Sequence, residues 1–149
     1  MTELIKLHAH ATRIFSCIPE WLLLLAARVF IGAIFFISAQ TKVDGFVIKD
    51  TTYFLFEHEY ALPLIPPVLA AILATWAEHI LSILLFLGLA SRYAAFGLFI
   101  MTLTIQIFVY PDAWPTHGVW AVSLLLIMKM GAGKLSIDHW IKHKMANES

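Results

Sequence analysis

The sequence has few charged residues and only one cysteine. Charged residues make up 13% of its 149 residues and hydrophobic residues 60%, whereas a soluble domain has about 25% charged and about 45–50% apolar residues. Ten basic and ten acidic residues balance, so the total charge indicates neither nucleic acid nor an acidic substrate as a partner. Because Cys17 stands alone, an internal disulfide and chemistry that needs a thiol pair are excluded.

The sequence also lacks the motifs of common cofactor and metal sites. Its histidines are not spaced as ligands: His8 and His10 are too close, while His139 and His143 lie in a basic tail. No glycine-rich phosphate loop, hydrolase nucleophile elbow or haem-attachment motif is present. We therefore predict no metal site, and the motifs leave open whether the protein is an enzyme.

Long apolar segments dominate what is present. About twenty apolar residues span the ~30 Å hydrocarbon core of a bilayer as a helix. The pattern predicts an all-α fold, a transmembrane four-helix bundle forming a single membrane domain over residues 1–149. A cleaved signal peptide near the N-terminus is rejected, because Arg28 would interrupt its apolar region. The predicted spans are approximately 21–41, 66–90, 93–110 and 116–131.

Three further segments are predicted to be interfacial amphipathic helices. The N-terminal residues 1–18 and the C-terminal tail from Lys134 place apolar residues at helical spacing beside basic ones. The aromatic stretch Tyr53 to Tyr60 lies in the first long connection, between the first two spans. These segments are expected to lie along the membrane surface and contact lipid.

The distribution of cations predicts the orientation. One side of the four spans carries only Lys42 and Lys49. Basic residues favour the cytoplasmic side, so both termini are expected there. The cations of the opposite side are Lys6, Arg13, Arg92, Lys129, Lys134, Lys142 and Lys144.

Two charges fall inside predicted spans, where they are costly and usually face other helices. Arg28 lies about 10 Å from the cytoplasmic end of the first span and Glu78 about 15 Å from that end of the second, at the helical rise per residue. We predict a buried ion pair between them. It either fixes the helix register only, or provides a proton carrier or an anchor for an anionic or quinone-like ligand.

A second polar group is predicted near the extracytoplasmic end. A buried glutamine needs partners, and an imidazole beside it could donate to a carbonyl oxygen such as that of a quinone. Helix caps and an interfacial belt are the alternative explanation. Quinone is accordingly the candidate cofactor. The candidate ligand-binding residues are His79, Gln40, Lys42, Gln106 and His117.

A further pattern lies in the order and spacing of residues along the spans. Its members are Arg28, Gly32, Phe35, Lys42, Pro63, Glu78, Gly88 to Arg92, Gly131, Gly133, Ser136 and Asp138. This pattern resembles the DoxX family of small membrane proteins over about residues 27–138. The resemblance implies a four-span protein of the bacterial inner membrane, related to the small subunit of thiosulfate:quinone oxidoreductase, with Arg28 and Glu78 as the best functional candidates.

Two functions are compatible with these patterns. The first is a redox-linked accessory subunit that interacts with quinone or a partner oxidoreductase. The alternative is a non-enzymatic membrane scaffold or maturation factor that docks membrane or periplasmic proteins. The stretch from Phe108 to His117 is most similar to family members in copper-responsive peptide-modification operons. Homo-oligomerisation is left open, and a transporter is disfavoured because four short spans leave little room for a pathway.

Overall fold

The computed structural model describes residues 2–148, and most of them are helical. A two-stranded antiparallel hairpin, β1 (Val43–Asp44) with β2 (Val47–Ile48), follows the second helix. Two helices end in π-helical turns, at Phe56–Tyr60 and Ile105–Val109. The helices are α1 (Thr2–Ser16), α2 (Glu20–Thr41), α3 (Asp50–Leu55), α4 (Pro67–Leu87), α5 (Ser91–Thr104), α6 (Trp114–Met130) and α7 (Ile137–Asn147).

Three helical segments of the described chain are long and apolar enough to cross a membrane. They are Glu20–Thr41, Pro67–Leu87 and Ser91–Val109, with mean hydropathies of 2.4, 1.9 and 1.6. The prediction of a helical membrane protein is therefore confirmed at this level. Helix α6 has 17 residues, slightly fewer than the ~20 that usually span the hydrocarbon core.

Helices α2, α4, α5 and α6 enclose the main core. Helix α2 packs against α4 and α6, and α5 packs against the same two helices. The outward-facing side chains remain apolar: Phe30, for example, is 72% exposed. A surface of this kind is compatible with lipid and unusual for a water-soluble monomer. The buried core residues are Ile31, Phe35, Leu85, Ala94, Ala95, Leu98, Leu124 and Ile127.

The C-terminal segment, which comprises the connection after α6 and helix α7, folds back onto the turn between α4 and α5. The Asp138 carboxylate accepts hydrogen bonds from the amides of Ala90, at 2.7 Å, and Ser91, at 3.0 Å, so it caps the start of α5. The Asp138 amide in turn donates to the Gly88 carbonyl. Ser136 caps α7 by accepting from the His139 amide. These bonds fix the start of α7 against the turn between α4 and α5.

Candidate functional site

A cavity of about 180 Å³ lies among α2, α4, α5 and α6, next to both π-helical turns. Most of its wall is apolar, including Phe35 of α2 and Trp120 of α6. One acidic and two basic side chains interrupt this wall: Glu78, Lys42 and His117. An apolar pocket with a few convergent polar groups is the usual form of a small-molecule site.

Lys42 and Glu78 form a buried ion pair on the cavity wall. The Lys42 Nζ lies 2.7 Å from Glu78 Oε2, and both residues are under 10% exposed. The same ammonium donates to the Ser38 hydroxyl at 2.8 Å and to the Ser38 carbonyl at 3.2 Å. Its three protons therefore all have acceptors, which is what a buried ammonium requires to offset its loss of hydration.

The predicted ion pair between Arg28 and Glu78 is wrong. Arg28 is buried, but its guanidinium donates to two backbone carbonyls, from Nη1 to Leu85 at 3.3 Å and from Nη2 to Leu135 at 2.5 Å. Leu85 lies in the last turn of α4, where the helix dipole favours a cation. Lys42 reaches Glu78 instead, because its side chain runs back along α2 to Ser38, one turn earlier.

Arg28 is consequently placed away from the cavity. It joins the end of α4 to the C-terminal segment, and it does not line the cavity wall. Gly88 makes this contact possible, since a Cβ atom at that position would lie 2.0 Å from Arg28 Nη1. The geometry therefore supports the structural interpretation of Arg28 and associates Glu78, with Lys42, with the cavity.

His117 is oriented by Gln106. The Gln106 amide nitrogen donates to the Pro111 carbonyl at 2.6 Å, which directs its Oε1 towards His117 Nδ1, 2.7 Å away. Because an amide oxygen only accepts, Nδ1 must carry the proton. The neutral ring then has a free acceptor at Nε2, for which the described residues provide no hydrogen-bond partner. Trp120 packs beside the ring, with centroids 4.9 Å apart.

The remaining predicted ligand residues lie elsewhere. The Gln40 Nε2 is 3.0 Å from His79 Nε2, and His79 Nδ1 donates to the Thr75 carbonyl at 2.7 Å. Gln40 is exposed, His79 is half-buried, and neither lines the cavity. The structure thus brings Lys42 and His117 to one cavity, with Gln106 supporting His117, and separates Gln40 and His79 from them.

The two π-helical turns were not predicted from the sequence. They contribute Phe56 and Tyr60 from one turn and Ile105 and Val109 from the other to the cavity wall. Such turns are frequent at functional sites because they widen the helix locally. The aromatic run 53–60 was the available signal, and it indicated only an interfacial or docking segment.

A hydrogen bond closes the cavity at the end that the two π-helical turns form. The Tyr110 hydroxyl donates to Glu59 Oε1, and the Tyr110 and Tyr60 rings meet edge to face with centroids 5.9 Å apart. The bond to Glu59, with some desolvation, raises the pKa of Tyr110 above the ordinary tyrosine value of about 10. This contact ties the first π-helical turn to the segment after the second.

The raised pKa of Tyr110 makes its ionisation a measure of the bond to Glu59. The hydrogen bond requires the protonated phenol, so its contribution to stability is complete below a pH of about 10 and is lost as the pH rises through the raised pKa. Near-ultraviolet absorbance during an alkaline titration measures this. The Glu59→Gln variant should lower the pKa of Tyr110, whereas Glu57→Gln, the neighbouring control, should not. Equal titration curves for both variants would contradict the assignment.

Comparison with known proteins gives a family match. The sequence model of the DoxX family matches residues 23–111. The matched region contains most of α2 and all of α4 and α5, and it ends at Pro111. It therefore includes Lys42, Glu78 and Gln106. Neither a curated protein nor a solved structure matches the chain.

Proposed function

Because the chain belongs to the DoxX family, we propose that it is a redox-linked accessory membrane subunit whose cavity binds the head group of a quinone or quinol. One observation carries the proposal: the same apolar cavity is lined by His117, whose Nε2 has no hydrogen-bond partner among the described residues, and by the buried Lys42–Glu78 pair. The electrons would come from a partner oxidoreductase, since the chain itself has no thiol pair.

The size of the cavity supports a ring-shaped ligand. An engineered apolar cavity of about 150 Å³ binds benzene, and the cavity here measures about 180 Å³. Aromatic walls from Phe35 and Trp120 provide flat surfaces for such a ring. An isoprenoid tail would have to remain outside, among the lipid chains.

The tautomer of His117 favours the reduced form of the ligand. Neutral His117 accepts at Nε2, so it suits the hydroxyl of a quinol, and only its protonated form could donate to a quinone carbonyl. The expectation that this imidazole donates to a quinone carbonyl would therefore apply only to protonated His117.

The topology is part of the same proposal. Helix α6 would be a fourth span, shortened at its ends and accommodated by its longer neighbours. The cations at residues 92, 129, 134, 142 and 144 would face the cytoplasm together with both termini, in a bacterial inner membrane. The cavity would then open towards the extracytoplasmic half, and α1 and α7 would lie along the cytoplasmic surface.

A binding measurement tests the site. We expect a water-soluble ubiquinol analogue to quench the tryptophan fluorescence of the protein and to bind His117→Phe at least tenfold more weakly than wild type, because phenylalanine keeps an aromatic ring but has no hydrogen-bond acceptor. His79→Phe is the matched control: it removes a histidine outside the cavity and should bind normally. Failure of the wild type to bind either a quinol or a quinone analogue would refute the proposal.

A scaffold function is the second candidate, supported by exposed apolar residues near the hairpin. Phe46 is 90% exposed and Leu64 is 89% exposed, both in the connection between α2 and α4. Such side chains are typical of docking surfaces. If Phe46→Ser and Leu64→Ser abolish function in cells while His117→Phe does not, at equal protein abundance, the scaffold interpretation is favoured over ligand binding.

A further inference from the structure

A second groove lies at the opposite end of the molecule from Lys42. It has a volume of about 550 Å³ and is formed by the start of α5, the connection from Gly131 to Ser136, and α7. Helix α5 begins here and α6 ends here, so the groove lies at the shared end of two apolar helices. This site is independent of the cavity and of the proposed redox role.

The groove has an excess of positive charge. Arg92, Lys134 and Lys142 line it, and no ion pair joins any of them to a carboxylate within residues 2–148. The single lining carboxylate, Asp138, is occupied by the amides of Ala90 and Ser91. Three cations therefore face a space in which the only anion is committed to capping a helix.

The backbone is shaped around one of these cations. Gly131 has φ +85°, and a Cβ atom there would lie 3.3 Å from Arg92 Nε, so this glycine lets the guanidinium approach the connection. Arginine offers a planar set of donors that matches the oxygens of a phosphate. His139, half-buried in the same groove, adds another ring nitrogen to the wall.

Apolar side chains flank the cations. Tyr93 is 81% exposed and Trp140 is 64% exposed, on the two helices that border the groove. An aromatic side chain at the boundary between lipid and water, next to basic residues, is a common setting for a lipid head group. The groove thus combines unpaired cations with an adjoining surface suited to acyl chains.

We propose that this groove binds a phosphate-bearing anion at the membrane surface. Both an anionic phospholipid and free phosphate have the required chemistry. The exposed Tyr93 and Trp140 favour the phospholipid, because free phosphate has no use for an apolar border. Arg92 contacts the phosphate from α5 while Lys134 and Lys142 approach it from the C-terminal side, so the ligand also fastens α7 to the helix bundle.

Native mass spectrometry of the full chain in mild detergent tests this site. We expect one phosphatidylglycerol molecule to bind at a lipid concentration at least tenfold lower than the concentration at which phosphatidylcholine binds. The R92Q/K134Q/K142Q variant should lose that preference, and R92K/K134R/K142R should keep it. The matched control, R13Q/K129Q/K144Q, removes the same charge from outside the groove and should bind like wild type.

The remaining outcomes are decisive in either direction. If inorganic phosphate displaces the phosphatidylglycerol, the groove is a phosphate site whose ligand can be soluble; if it does not, the lipid is the ligand. Equal loss of binding in the two glutamine variants would overturn the proposal, since general surface charge would then explain it. K134Q/K142Q alone, on exposed side chains, repeats the measurement should the triple variant fail to fold.

Discussion

Replacing Glu78 by methionine is expected to lower the free energy of unfolding by about 3–5 kcal/mol, because it leaves the buried Lys42 ammonium without its counter-charge. Lys42→Met should be similarly costly. The K42M/E78M double variant should be much less affected, since replacing both partners of a buried pair with apolar residues of similar volume is often neutral. Denaturant unfolding in detergent, followed by circular dichroism, gives the double-mutant cycle.

A neighbouring polar pair provides the control. Gln40 and His79 also link α2 to α4, but Gln40 is exposed and the bond is between uncharged groups. Gln40→Met should therefore cost no more than about 1.5 kcal/mol, the net value of an ordinary hydrogen bond. If Glu78→Met costs no more than Gln40→Met, or if the double variant is as unstable as the single ones, the buried pair does not have the importance given to it here.

Composition and length were enough to predict the helices. A segment such as 67–87 must satisfy its backbone hydrogen bonds internally if lipid surrounds it, so an apolar run of this length has few alternatives to a helix. The buried charges were located correctly for the same reason: Arg28 and Glu78 are both inside the protein. The family resemblance was confirmed by the match over residues 23–111.

The partners of those charges could not be predicted by counting residues. Position along a helix gives the depth of a Cα atom, but not the direction that a long side chain takes. Lys42 extends back into the core where an interfacial lysine is expected to point outwards, and Arg28 finds carbonyls contributed by Leu85 and Leu135. The Leu135 contact depends on a chain reversal after Gly131 that has no periodic signal.

The candidate site was predicted in part for a related reason. Gln106 and His117 were paired because both lie near the same end of their helices, and their hydrogen bond follows from that placement. The cavity beside them depends on π-helical turns, which add one residue per turn and rotate all later side chains. No pattern in 105–109 distinguishes such a turn from regular α-helix, so the cavity was not predicted. Gln40 was grouped with the site from its depth along α2 alone, whereas its side chain contacts His79.

Among additions of a single methyl group to the chain, Gly88→Ala is expected to be the most destabilising. It should lower the free energy of unfolding by more than about 4 kcal/mol. Gly88 has φ +66°, and its Cβ would lie 2.0 Å from Arg28 Nη1 and 2.9 Å from the backbone Cα of Ser136. The guanidinium could move only by giving up its carbonyl acceptors, and Ser136 only by displacing the segment that caps α5. Thermal and denaturant unfolding of the purified variant measure the loss.

Two other glycines separate steric overlap from backbone strain. Gly45 has φ +60° but nothing within 4 Å of the point that an added Cβ would occupy, so Gly45→Ala should cost only the strain of a left-handed conformation, about 1–2 kcal/mol. Gly118 lies inside α6 in open space, and Gly118→Ala should be neutral or stabilising by up to about 1 kcal/mol. Equal losses for Gly88→Ala and Gly45→Ala would mean that strain alone acts at Gly88. A clearly larger loss of stability for Gly88→Ala means instead that Arg28 and the C-terminal segment pack tightly against that turn. The buried arginine then has a structural role, and Lys42, Glu78 and His117 are the residues that serve the cavity.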